Sequence, residues 1–348
     1  MRYRTLGRTG IEVSEQCLGA MMFGAWGTKD HDESIRIIHK ALDSGINFVD
    51  TADVYSAGES EEIVGKALKG RRDDVVLATK VHGQMGEGRN NRGNSRLWIM
   101  REVEASLKRL GTDHIDLYQL HRPDPATDLD ETLSALDDLV RQGKVRYVGS
   151  STFPGWMVVE AQWVSERRGL TKLACEQPPY SIFVRSIERD LLPVTRRYGM
   201  GVIVWSPLAG GWLTGKYRRE TGIPEGSRGD RFTRAKHPVA KRFDLSRPAN
   251  QRKLDLVDSL SVIADKAGLS LTHMASAFVL AHPDVTSSII GPRTMEQLDD
   301  LVAGADVRLD ADTLDAIDDV VAPGEVIESS DRGWEEPWMR PEARRITG

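Results

Sequence analysis

Short apolar runs rich in valine and isoleucine alternate along this chain with segments whose apolar residues recur at helical spacing. A first strand is predicted over Ser14–Met22, followed by a helix over Asp32–Ser44 and a strand over Ile46–Asp50. The next pairs are helix Ser60–Lys69 with strand Val75–Lys80, then helix Ser95–Leu110 with strand Ile115–His121. In Ser95–Leu110 the positions Leu97, Ile99, Met100, Val103, Leu107 and Leu110 keep close to the helical period. The rhythm continues through helix Leu129–Gln142, strand Val145–Ser151, helix Gly155–Arg168 and strand Thr171–Gln177. It closes with helix Ser186–Tyr198, strand Gly201–Ser206, helix Ser270–Ala281 and strand Thr286–Gly291. Repeated strand–helix units of this kind predict a parallel sheet of the α/β class. Eight of them suit a closed (β/α)8 TIM barrel better than an open flavodoxin-like or Rossmann sheet, which stays as the structural alternative.

Two segments fall outside the rhythm. Thr214–Lys253 is rich in Arg, Gly and Pro and reads as a long loop, of the kind that serves as a lid or cover. The tail, Val326–Gly348, carries Trp334, Pro337, Trp338 and Pro341 and is expected to drape over the barrel or fray. The whole span 1–348 is otherwise expected to be a single barrel domain, since such barrels routinely exceed ~250 residues.

In an α/β barrel the carboxyl ends of the strands form the reactive face. Asp50, Lys80 and His121 each end a predicted strand, and Tyr55 follows the first of them by five residues. Such a quartet suits proton donation to a developing alkoxide: a phenol is a weak acid alone, and a nearby ammonium stabilises its phenolate. The aspartate would hold the lysine, while the histidine orients a carbonyl oxygen or shares the proton. Each residue also has a plain structural reading: Asp50 as a loop cap or partner of Lys80, Lys80 as a rim ion pair, His121 as a satisfied turn residue, Tyr55 as packing. Four proton-handling groups on consecutive strand ends make the catalytic reading the stronger.

Composition narrows the field without naming a substrate. A formal net charge of −5 and a pI near 6.0 give no signal for nucleic acid or an anionic membrane. Two cysteines, Cys17 and Cys175, lie in no CxxC or CxxH spacing, which fits a reducing compartment and a cytoplasmic protein. The first ten residues are charged and no apolar stretch follows, so neither a signal peptide nor a membrane span is expected. Eight histidines without an HxH or HExxH spacing argue against a metal-dependent hydrolase. Lys80 as a Schiff-base amine is a further alternative, made weaker by the Asp and Tyr beside it.

The nucleotide question turns on the second half. No GxGxxG is present. The stretch Gly210–Tyr217 approaches a P-loop but places Tyr217 where Ser or Thr would hold magnesium; its backbone amides remain suited to a pyrophosphate. From Lys216 to Arg242 there are nine Lys or Arg against three acids, which on an acidic protein points to a polyanionic ligand.

With these features in view, the chain resembles the aldo-keto reductase superfamily over nearly its full length. The cues are MRYRTLGRTG, GINFVDTADVY, ATK, SLKRLGTDHIDLYQLHRPD and WSPLAGGWLTGKY, of which DTADVY and LYQLHRPD are the most specific. Within it the chain is most similar to the branch of the potassium-channel β-subunits and their bacterial reductase relatives. The resemblance implies Tyr55 as general acid, Lys80 and Asp50 tuning it, and His121 positioning the carbonyl. It implies a nicotinamide carboxamide at Ser151, Thr152 and Gln177, with the ring on Trp205 and Asp50 also among the cofactor-binding residues. The pyrophosphate would meet Ser206, Pro207, Leu208, Ala209, Gly210, Lys216 and Arg228, and the adenosine end Gly291, Arg293, Gln297 and Asp300. Thr152 and Leu301 depart from the family's usual residues at their positions. Arg293 favours NADPH over NADH, because a 2′-phosphate wants a cation there.

The expected reaction is NADPH-dependent reduction of an aldehyde or ketone. The alternative is a nucleotide-binding regulatory subunit like the channel β-subunits, in which Asn stands where this chain has His121. Met22, Phe23, Trp26 and Phe153, with Tyr55 and His121, are candidates for the wall of a carbonyl pocket, though the first four suit the core equally. The partner expected is a small carbonyl compound, with homo-oligomerisation left open.

Overall fold

In the computed structural model, which describes residues 1–345, the eight parallel strands close into a barrel. A two-stranded antiparallel hairpin comes first, β1 (Tyr3–Thr5) and β2 (Glu12–Ser14). The barrel strands are β3 (Gln16–Gly19), β4 (Phe48–Asp50), β5 (Val76–Val81), β6 (Ile115–Leu120), β7 (Val145–Ser151), β8 (Cys175–Gln177), β9 (Gly201–Val204) and β10 (Ser287–Ile290). They pair in chain order, and β10 closes on β3. This is a (β/α)8 TIM barrel. Most predicted strands shorten by a few residues, because the ladder ends where the barrel rim opens into loops.

Alternation along the strands sorts the interior into layers. Cys17, Phe48, Ala78, Leu117, Cys175 and Ile203 point inward and form an apolar layer, joined from below by Leu6 and Val13 of the hairpin segment. Two residues further along four of these strands come Asp50, Lys80, Gln119 and Gln177, all buried. The register sets Lys80 beside Gln119, and Asp50 beside Ala78. A larger apolar cluster fills the space between barrel and helices, with Ile37, Ile63, Ile99, Leu133, Val158 and Leu192 among its members.

Helix ends follow the local sequence. Ser95 accepts from Trp98 N at 3.3 Å to open the helix Arg96–Leu110, and Gly111, at φ 62°, closes it in the left-handed region.

The segment 214–253 differs from the structureless loop expected of it. It contains a helix over Arg228–Arg234 and a turn of 3-10 helix over Pro238–Arg242, and its last residues open the long helix Pro248–Lys266. Its polar residues masked the pattern: Lys253 and Asn250 are buried polar groups on the packed face of that helix. Two further helices, Met295–Ala303 and Ala311–Val320, follow the barrel. The tail runs back over the mouth, where a Cβ on Gly333 would meet the Trp205 ring at 2.5 Å. Trp338 sits between Trp156 and Trp334, with centroids 5.8 and 5.6 Å away. Ion pairs from Lys253 to Asp331 at 2.6 Å and from Arg247 to Glu328 at 3.1 Å fasten it. Residues 346–348 of the predicted tail lie outside the described ones.

Candidate active site

The strand ends of β4, β5 and β6 bring three of the four proton-handling residues to one rim, and the loop after β4 brings the fourth. Lys80 Nζ lies 2.5 Å from Asp50 Oδ1, 2.8 Å from the Thr51 carbonyl and 3.3 Å from the Tyr55 hydroxyl. Both Lys80 and Asp50 are almost wholly buried. The other Asp50 oxygen accepts from Gln177 Nε2 at 2.9 Å and Gln119 Nε2 at 3.2 Å. Burial pushes the Lys80 ammonium down, but the facing Asp50 and Tyr55 outweigh it and hold it above the usual lysine range. The ammonium is therefore charged and fully coordinated.

Tyr55 is aimed by backbone. Ser56 and Ala57 follow it at φ 51° and 57°, a left-handed pair that non-glycine residues adopt only under constraint. Ser60 fastens the turn, donating to the Ala20 carbonyl at 2.8 Å. The His121 ring stands edge-on to Tyr55, centroids 5.6 Å apart, and its ring nitrogens have no protein partner among the described residues. Burial, then Arg122, Lys80 and His82, press the imidazole well below its ordinary range, so it is neutral near pH 7.

The expected cofactor residues line the rest of the mouth. Gln177 spends its amide nitrogen on Asp50 and Gln119, which leaves its own carbonyl oxygen as an acceptor. Ser151 donates to the Gln177 backbone carbonyl at 2.8 Å, and Thr152, at φ 58°, accepts from Arg122 Nη1 at 3.3 Å. Trp205 has a buried indole nitrogen without a partner among the described residues. Beside it, Ser206 and Ala209 take positive φ values of 63° and 50°, and Gly210 follows at 70°. A cleft lined by Trp205, Ser206, Ala209, Gly210, Arg228 and Arg242, among others, opens there.

Arg228, which lines that cleft, is one of four neighbouring cations with Lys216, Arg231 and Arg293. Burial lowers the Lys216 ammonium, and Arg293, Arg228 and Arg231 lower it further. Arg228, buried and near Arg242, is pushed down to about 10. Arg231 donates to the Trp26 carbonyl at 2.9 Å and Arg293 to the Gly226 carbonyl at 3.1 Å, which leaves their charges unneutralised. A Cβ on Gly291 would meet open space. Gln297 is turned back on its own turn, accepting from Arg293 N at 2.9 Å, and Asp300 is held by His273 at 3.0 Å.

The pocket candidates divide. Trp26 is 48 % exposed, its ring 6.0 Å from that of Tyr55, so it stands at the mouth. Met22 is nearly buried, while Phe23 and Phe153 are sealed into the core and present little or no surface to the mouth. For Phe23 and Phe153 the core reading is the one the structure follows. Sequence reasoning missed Gln119 and Arg122. Gln119 sits two positions before His121, where strand alternation alone sends it inward.

A parallel barrel whose rim holds a buried Lys–Asp pair against a tyrosine, beside a phosphate-suited cleft, defines a class of nucleotide-using oxidoreductase. Residues 16–322 match the model of the Aldo/keto reductase family. The chain is 43 % identical over 331 residues to "Uncharacterized oxidoreductase YrpG" of Bacillus subtilis (strain 168), covering 92 % of this chain and 96 % of that protein. It is 35 % identical over 338 residues to "Probable voltage-gated potassium channel subunit beta" of Arabidopsis thaliana, covering 92 % and 97 %. It is 36 % identical over 306 residues to "Aldo-keto reductase YhdN" of Bacillus subtilis (strain 168), covering 86 % and 88 %. The chain belongs to the aldo/keto reductase family and is an NAD(P)H-dependent oxidoreductase. No helix among the described residues is long and apolar enough to cross a membrane.

Proposed function

We propose that this protein reduces an aldehyde or ketone to an alcohol with NADPH, Tyr55 donating the proton. The observation that carries the reading is the buried Lys80 ammonium, in contact with Asp50 on one side and the Tyr55 hydroxyl on the other. A nicotinamide dinucleotide, when bound, supplies the hydride that the carbonyl carbon takes up. The protein's part is to place and protonate that carbonyl. His121, neutral, offers an N–H to the carbonyl oxygen beside Tyr55. Tyr55 gives its proton to the same oxygen as negative charge develops there, and Lys80 steadies the phenolate left behind. Asp50 balances Lys80 so that a cation can stay buried where it is needed.

The donor set fits the cofactor. Thr152, Ser151 and Gln177 with Asp50 would hold the carboxamide, and Trp205 would face the ring. Ser206, Pro207, Leu208, Ala209 and Gly210, with Lys216 and Arg228, would hold the pyrophosphate. Gly291, Arg293, Gln297 and Asp300 would surround the adenosine end, with Arg293 on the 2′-phosphate. Arg293, Arg228 and Arg231 depress Lys216, and Arg293 depresses Arg231; such a cluster calls for more negative charge than NADH brings, which supports NADPH. The two buried free cysteines suit a reducing cytoplasm.

Two measurements test this. Tyr55→Phe is expected to lower kcat on a reducible aldehyde by about 10²- to 10⁴-fold with NADPH binding retained; full turnover in that variant sinks the role of Tyr55. In fluorescence titrations NADPH should bind more tightly than NADH, and Arg293→Gln should erase most of the difference. Equal binding of the two nucleotides by the parent protein refutes the preference. The second reading, a regulatory subunit, draws on the relatives named as channel β-subunits; wild-type turnover that stays negligible while NADPH binds tightly would favour it.

A further inference from the structure

Arg122 stands in the mouth with half of its guanidinium unused. Its Nη1 donates to the His121 carbonyl at 2.6 Å and to Thr152 Oγ1 at 3.3 Å. Among the described residues neither Nη2 nor Nε has a hydrogen-bond partner, and neither is sealed in the interior. The group lies over the Trp205 ring, Cζ 5.9 Å from its centroid. It follows His121 directly in the chain, so it shares the rim with the residue that would orient a carbonyl.

Its charge is uncompensated. The neighbouring cations have their own acids, Lys80 at Asp50 and Arg242 facing Asp331 at 3.6 Å. No carboxylate of the described residues lies within 4 Å of Arg122. Glu176, the acid whose field it feels, is pushed by burial up to about 8 and so is largely protonated at neutral pH. An arginine in a part-buried mouth, anchored through one nitrogen and presenting the Nε–Nη2 edge, matches the two oxygens of a carboxylate.

Resting on the reductase reading above, we infer that Arg122 is a specificity-determining residue that binds a carboxylate on the substrate, and that the preferred substrates are oxo acids: aldehydes or ketones carrying a carboxylate within reach of the reacting carbonyl. The reaction balances as a reduction of the carbonyl alone, hydride to carbon and proton to oxygen, and the carboxylate is bound and released unchanged.

Two substrate pairs test it: phenylglyoxylate against phenylglyoxamide, and 4-carboxybenzaldehyde against 4-carbamoylbenzaldehyde. With NADPH, the wild type should favour the acid of at least one pair in kcat/KM by about 10- to 100-fold, mostly through KM. Arg122→Met should bring that ratio to about one, with Arg122→Lys between. A ratio unchanged in Arg122→Met, or no preference in the wild type for either acid, overturns the inference. So does a loss of NADPH affinity in Arg122→Met as large as the loss of acid selectivity, since that makes Arg122 a cofactor residue. Wild-type protein that turns over none of the four compounds counts against the reductase reading instead. Calorimetric titration with phenylglyoxylate, with and without NADP, then decides the present point: binding that Arg122→Met loses and Arg122→Lys partly keeps supports it, and no binding by the wild type overturns it. Thermal melts confirm that the variants are folded.

Discussion

Two groups of buried cations sit on one barrel, and they are built to opposite rules. Lys80 is satisfied within the protein: a carboxylate at 2.5 Å, a carbonyl at 2.8 Å and a phenol at 3.3 Å hold it charged and above its ordinary range. Lys216, Arg228 and Arg231 are all held below their ordinary ranges, chiefly by burial. Arg228, Arg231 and Arg293 depress Lys216 further. Burying a charge costs free energy unless something answers it. Where the answer is present, the group belongs to fixed machinery. Where only other cations are near, the group is set for a ligand that brings the missing anions.

The contrast predicts opposite signs for similar substitutions. Lys80→Met should leave Asp50 buried without its partner and destabilise the fold by about 3–5 kcal/mol, besides abolishing most turnover; chemical denaturation measures it. A stable Lys80→Met protein would break the comparison at its fixed end. Arg228→Met should leave the nucleotide-free protein within about 1 kcal/mol of the parent or raise its stability, since it removes a repelled charge. The same variant should weaken NADPH by about 10- to 100-fold, seen as a smaller rise in Tm on adding the nucleotide. Equal destabilisation in the two variants would mean that Arg228 is answered by the protein after all.

The smallest effect concerns Glu176, an acid rather than a cation but subject to the same rule. Ser150 Oγ donates to it, as does Phe153 N at 3.0 Å, yet burial still pushes it up to about 8. The unfolded carboxyl ionises in the ordinary range near 4.5, so between there and about 8 the folded chain holds a proton that the unfolded one has released. Its contribution to stability is full at acid pH and falls as pH rises through that window. Glu176→Gln should flatten the Tm–pH curve between pH 5 and 8. An unchanged slope would show that the carboxyl is ionised in the fold.

The meeting of Asp50, Tyr55, Lys80 and His121 at one rim was legible because its signal is local. A run such as Val75–Lys80 alternates into the barrel and then ends on a polar residue, so the strand and its functional tip are read together. The eight-strand count was legible for the same reason. The hairpin was not, since three-residue strands carry too little alternation to stand out. Arg228–Arg234 is polar on most of its faces, and its helix depends on packing around Phe232 and Phe243 rather than on its own period. Arg122 carried no such local signal. Its setting is made by Thr152 and Trp205, which reach it from two other strand ends, and no window of sequence contains all three. Phe23 and Phe153 were ambiguous because apolar residues near a rim serve wall or core equally, and only burial separates them.

The hairpin under the barrel has a consequence for how the chain reaches this state. Gly7 lies so close to β9 that a Cβ there would stand 2.5 Å from Gly201 N, and Arg8 N bonds the Gly199 carbonyl at 3.0 Å. Arg4 donates to the Leu280 and Val285 carbonyls, 276 and 281 residues further on. During synthesis this segment has to wait, unseated, until nearly the whole barrel has been made. Contacts of such separation are slow to form because the intervening chain must be closed first. Docking the hairpin is thus a late event, and the apolar floor of the barrel stays open to water, and to other nascent chains, until it happens.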